Sequence, residues 1–131
     1  MVILGLCLSF NSMANEDKKD KALDAAEIWL MLIDEGQYSD SWETTAVYFK
    51  KSIEKEKWEQ MITAVREPLG RQIHRELKSK TYHTSLPGVP DGEYIIIQFI
   101  TSFENKKSGI ETVTLMADRN GKSRVSGYYI K

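Results

Sequence analysis

The side chains best placed to do chemistry in this sequence are arginines. Arg75 stands between Ile73 and Leu77 in a stretch that alternates with a period of two, and Arg71 falls on the same side. Two guanidinium groups on a face that otherwise looks buried need anionic partners, because an unpaired buried charge is very costly. Arg66, close to the end of the preceding helical segment, can approach them. One reading is a ligand-binding site for a small anionic ligand, a carboxylate or a phosphate. The other is structural: Glu59, Glu67 or another helix acid pairs with the arginines, or their heads reach water at the rim. Tyr82, Tyr94, Tyr128 and Tyr129 fall on strand-like segments, where cross-strand aromatic pairing is the simple account and a pocket hydroxyl, from Tyr94 above all, is the functional one.

Candidates for catalysis are few. His74 and His83 are the only histidines, His74 alternates with Ile73 and so points away from the expected core, and neither has a partner at metal-ligand spacing. Asp34, Glu35 and Asp40 read as helix-end and capping residues. No glycine-rich phosphate loop, serine elbow or paired-carboxylate motif is present. The single cysteine, Cys7, lies in an apolar leader, which leaves the remainder without a disulfide, a reactive thiol or a cysteine zinc site. A non-catalytic protein with no metal and no cofactor is the expectation.

The elements that must carry these residues follow from periodicity. Ala22, Ala25, Ala26, Trp29, Leu30 and Ile33 recur at helical spacing, with Gly36 just beyond as a stop. A second helix is expected from Ser39 or Asp40, where Asp40 and Glu43 have capping-box spacing, with Trp42, Thr45, Ala46 and Phe49 on its inner face. Trp58, Met61, Ile62, Val65 and Leu69 mark a third, ended by Pro68 and Gly70. The three tryptophans belong to these stripes and read as core. From Arg71 the period becomes two, giving strands over 71–82, 93–103, 111–117 and 123–130. Asn105 to Gly109 should close one hairpin, and Asn120-Gly121 is a strong two-residue hairpin signal.

An α+β domain is therefore predicted, with three N-terminal helices packed on a four-stranded antiparallel sheet. In the strand at Tyr94 both faces carry apolar residues: Ile95, Ile97 and Phe99 on one, Tyr94, Ile96 and Ile100 on the other. Helices can cover only one, so the second is expected to form a homodimer interface, or to be covered by curvature and the long loop.

The 131 residues suit one domain, and 18 basic against 19 acidic side chains give a net charge of -1. Such a balance provides no field to attract nucleic acid or an anionic membrane. Val2 to Phe10 is apolar and is followed by Asn11-Ser12-Met13-Ala14, the pattern of a secretory signal peptide over 1–14 cleaved after Ala14, although no Lys or Arg precedes it. It is too short to span a bilayer, so no stable membrane anchoring is expected after cleavage. Residues 15–21 read as a charged, disordered lead-in, and 22–131 as the folded domain. A periplasmic or secreted location follows.

The runs Ala26-Glu27-Ile28-Trp29-Leu30, Tyr38-Ser39-Asp40-Ser41-Trp42 and Arg66-Glu67-Pro68-Leu69-Gly70-Arg71 resemble the bacterial domain of unknown function 4019 family. So do Leu86 to Tyr94, Glu111 to Leu115 and the closing Gly127-Tyr128-Tyr129-Ile130. The resemblance runs from about Ala22 onward and implies a bacterial exported protein without supplying an activity. The element order is also similar to the cystatin-like or nuclear transport factor 2-like cone, in which helices pack into a curved sheet around a pocket. Such folds host isomerases, dehydratases, ligand carriers and interaction modules, so the topology does not choose among them. A module that binds a small ligand or a protein is expected ahead of a small isomerase or hydrolase, and ahead of a structural partner acting through a strand edge.

Overall fold

The computed structural model describes the backbone from Val2 to Lys131 and side chains from Met13 onward. The side chains of the apolar leader lie outside the described residues. Four helices precede four strands: α1 Val2–Asp34, α2 Tyr38–Glu43, α3 Val47–Ser52, α4 Lys55–Arg66, then β1 Gln72–His83, β2 Tyr94–Phe103, β3 Lys106–Ala117 and β4 Ser123–Ile130. The strands form one open antiparallel meander in the order β1-β2-β3-β4.

Helix α1 ends where the sequence places its stop. Gly36 takes a φ of 76°, its N–H bonds Ile33 O, and Gln37 N–H reaches back to Leu32 O, which closes the last turn. Ala22, Ala26, Trp29, Leu30 and Ile33 are buried against Ile95, Ile97, Phe99, Val113, Leu115 and Val125 of the sheet. This stripe is the one predicted, and it lays α1 across all four strands.

Two expectations need correction. Residues 15–21 are not a disordered lead-in but part of α1, where Lys18 pairs with Glu93 at 2.6 Å and Asp20 with Lys80 at 2.7 Å. The charges hold the segment on the sheet that its composition seemed to exclude. The second helix is two short helices, because Ala46 N–H is drawn 2.8 Å onto Val125 O of β4 and the chain straightens there. Its start is Tyr38, and Asp40 sits inside the first turn without a side-chain cap.

The last helix also differs in detail. Trp58, Ile62 and Arg66 turn inward, whereas Met61 and Val65 are exposed. It packs chiefly on α2, so α1 alone makes the broad contact with the sheet. Ser41 ties the group together: Trp29 Nε1 donates to its carbonyl at 2.9 Å and Trp58 Nε1 to its hydroxyl at 3.0 Å. Both indoles thereby bury their apolar rings without leaving an N–H unmet.

The register gives the sheet two different faces. Tyr82, Ile95, Ile97, Phe99, Thr101, Leu115, Val113, Glu111, Val125 and Tyr128 face α1, and Ile96, Gln98, Ile100, Ile110, Thr112 and Thr114 face away. Strand β3 begins five residues earlier than its apolar run suggests, which leaves Glu104-Asn105 as the connection to β2. The β3–β4 connection is longer than a two-residue hairpin. Asp118 accepts the N–H groups of Asn120 and Lys122 on one carboxylate oxygen and Arg124 Nε on the other, and only Gly121 takes a positive φ.

Candidate functional site

The arginine that alternation places inward is indeed inward. Arg75, paired with Thr101 across the β1–β2 ladder, lies under α1 with its side chain 13% exposed. Its Nε donates to Glu111 Oε1 at 2.6 Å, and Nη1 and Nη2 form a fork onto Asp34 at 2.7 and 2.9 Å. Glu111 is fully buried and also accepts the hydroxyl protons of Thr101 and Tyr128. Arg66 reaches the same Asp34 with Nη2 at 3.0 Å and stacks over the Phe103 ring at 4.9 Å.

Two cations and two anions thus balance in one cluster that, with Thr101 and Tyr128, joins the end of α1, the end of α4 and all four strands. Burial pushes the Arg75 guanidinium down, but its hydrogen bonds to Asp34 and Glu111 more than reverse this and hold it above its ordinary value. Burial, reinforced by the charge of Glu111, raises the Tyr128 phenol well above 10, so it stays protonated and donates. A Tyr–Glu–Arg–Asp–Arg chain of this kind fixes the angle of α1 on the sheet. Two donors, Arg66 Nε and Nη1, are buried without a partner. They do not share the Nε–Nη2 edge that would grip an oxyanion bidentately.

The other residues singled out in the sequence lie elsewhere. Arg71 is exposed in the turn before β1, where its backbone N–H donates to Glu104 Oε1. A bulge between Gln72 and His74 breaks the strict alternation that put Arg71 beside Arg75. Tyr94 is on the opposite face of the sheet, buried under the loop that precedes it, with its hydroxyl on Pro90 O. The structure therefore unites Arg66 with Arg75, and neither Arg71 nor Tyr94 joins them. Ile73 and Leu77, taken as the core neighbours of Arg75, are 56% and 42% exposed, since β1 is an edge strand and α1 does not cover that part of it.

Sequence reasoning missed Glu111 and gave Asp34 only a helix-end role. A signal for Glu111 exists: it shares the period-two face of Val113 and Leu115, and an acid on such a face demands a cation.

An open cleft lies beneath the middle of α1. It measures about 270 Å³ and runs between Ala14–Lys21 of the helix and the ends of the strands. Ile95, Leu115, Met116 and Ala117 form its floor, and Tyr82, Lys18 and Glu93 its wall. The rim charges are matched, Lys18 to Glu93 at 2.6 Å and Lys21 to Asp17 at 3.2 Å. Glu93 is held below its ordinary carboxylate value first by the Lys18 hydrogen bond. A broader groove of about 660 Å³ between Thr45–Lys50 and the β3–β4 turn is more open. Among the described residues no group of three or more His, Cys, Asp or Glu forms a metal site, and no helix is long and apolar enough to cross a membrane.

The family model described as protein of unknown function (DUF4019) matches residues 25–128. The chain belongs to this family. The match begins within α1 and ends at Tyr128, so it takes in Asp34, Arg66, Arg75 and Glu111 together with the floor of the cleft. No curated protein and no solved structure matches the chain. The DUF4019 model carries no activity.

Proposed function

We propose that this DUF4019 protein is an exported, non-catalytic binding module that takes a small, largely apolar ligand in the cleft beneath the first half of α1. The observation that carries the reading is the cleft: an apolar floor of Ile95, Leu115 and Ala117 behind a rim whose charges already neutralise one another. Such a site favours a neutral or weakly polar molecule over an anion, and its volume suits a ligand smaller than a drug-sized one. The charged groups that a proton-transfer enzyme of the cone type would draw upon are engaged with one another around Glu111, which supports binding over catalysis.

Export is supported by the apolar run Val2 to Phe10 and by Ala14 ahead of the charged segment, with cleavage after Ala14 and a periplasmic or secreted destination. Ala14 itself lines the cleft, so cleavage there widens its mouth. A cystatin-like or nuclear transport factor 2-like cone is the arrangement that the helix-on-sheet order and the four register shifts support, with this cleft as its opening.

The test is a titration with the neutral fluorescent probe phenylnaphthylamine. Saturable binding with one site is expected, lost in Ala117→Trp, which fills the floor, and retained in Arg71→Ala, which lies far from it. Absence of saturable binding, or binding untouched by Ala117→Trp, would remove the cleft as the site.

A further inference from the structure

The sheet face turned away from α1 is built unlike a solvated one. The outward residues of the two central strands are Ile96, Gln98, Ile100 and Ser102 on β2 and Ile110, Thr112 and Thr114 on β3, and none is charged. Charge returns at the edges and, on β3, at Lys106 and Lys107 beside the β2–β3 turn. Glu76 of β1 pairs with Ile100, Ile100 with Ile110, and Ile110 exchanges backbone hydrogen bonds with Lys131. One row across the face therefore reads Glu76, Ile100, Ile110, Lys131, with exposed charges of opposite sign at its two ends. An uncharged centre inside a charged rim is the anatomy of an interface.

We infer that this face docks on the same face of a second copy of the chain, through a two-fold axis parallel to the strands. That axis lays β1 of one copy over β4 of the other and keeps each row opposite itself. Glu76 then meets Lys131 of the second copy at both ends, and Ile100 meets Ile110 twice in the middle, so the patch is self-complementary as an isologous interface requires. An axis across the strands through the same row would instead set Glu76 on Glu76 and Lys131 on Lys131. Tyr129, 57% exposed on the neighbouring row, gains a partner in Ser79 of the second copy.

The size sets the strength. Strand spacings of about 4.8 Å and rises of about 3.3 Å per residue give the open patch between Ile96 and Ser102 roughly 450 Å² per copy. A pair hides roughly 900 Å², at the low end for specific association, so the dimer is concentration-dependent in the micromolar range or weaker. This surface is separate from the cleft, and either can hold without the other.

Sedimentation velocity on the whole chain, from the micromolar to the near-millimolar range, tests the inference. A monomer–dimer equilibrium is expected. Ile100→Lys should leave circular dichroism unchanged and abolish the dimer. Glu76→Lys and Lys131→Glu, both at exposed positions, should each weaken it about tenfold because each insult is repeated by symmetry, and the double reversal should restore it. A monomer throughout would overturn the inference. So would a dimer indifferent to Ile100→Lys, or one that the double reversal fails to restore.

Discussion

Arg75 carries four hydrogen bonds that join α1 to two strands, and Glu111 behind it has no access to water. Removing one member of such a cluster leaves the other charge buried and uncompensated, whereas removing the pair together does not. Arg75→Met is therefore expected to cost about 3–5 kcal/mol, and the double change Arg75→Met with Glu111→Leu to recover much of it, measured by urea denaturation. Ser41→Ala makes a smaller demand: Trp58 Nε1 loses its acceptor while Trp29 keeps the Ser41 carbonyl. A loss of about 1–3 kcal/mol is expected in the same assay. At this scale the sequence showed that Arg75 points inward and needs an anion. It could not name the anion, since Asp34 and Glu111 stand 41 and 36 positions away and reach Arg75 only through the docking of α1 and the pairing of the strands.

At the scale of elements, periodicity located α1, the final helix and all four strands, because each carries a clear apolar stripe or alternation. It failed where tertiary bonds override local pattern. Ala46 on Val125 splits one expected helix into two, and Asp118 lengthens a turn that Asn120-Gly121 alone would have kept tight. The charged middle of α1 is the clearest such case, since Glu16 to Lys21 has the composition of a solvated tail but pairs with Glu93 and Lys80. Its docking should respond to pH. Glu93 is lowered from 4.5 by Lys18, so its contribution is complete above that value and is lost as pH falls through the lower folded value. Lys18 is raised from 10.5 by Glu93, so its contribution is complete below that value and is lost as pH rises through the higher folded one. Protection of the amides of residues 15–21, taken relative to the intrinsic exchange rate at each pH, should be high and constant between the two values and fall outside them. A loss of protection near neutral pH would contradict the pairing.

For the whole molecule, the ionic cluster lies at the C-terminal end of α1 and the cleft beneath its middle, which separates what holds the helix in place from what the helix covers. Of the two readings of the arginines, an anion site and a structural ion pair, Arg66 and Arg75 take the second, and the proposed ligand site is instead the cleft above Ile95, Leu115 and Ala117. The structural pairing was one of the two readings that the sequence offered; the cleft was not legible, because Ile95 and Leu115 are indistinguishable there from the other inward residues of their strands. Saturation of the cleft should also raise the midpoint of thermal unfolding with ligand concentration, as any ligand selective for the native state does. The most direct measurement is a native mass spectrum of the protein purified gently from the cells that make it. An added mass that disappears on denaturation and is missing from Ala117→Trp is the predicted result. A protein that carries no added mass, or one that carries it equally in Ala117→Trp, would contradict the cleft as a binding site.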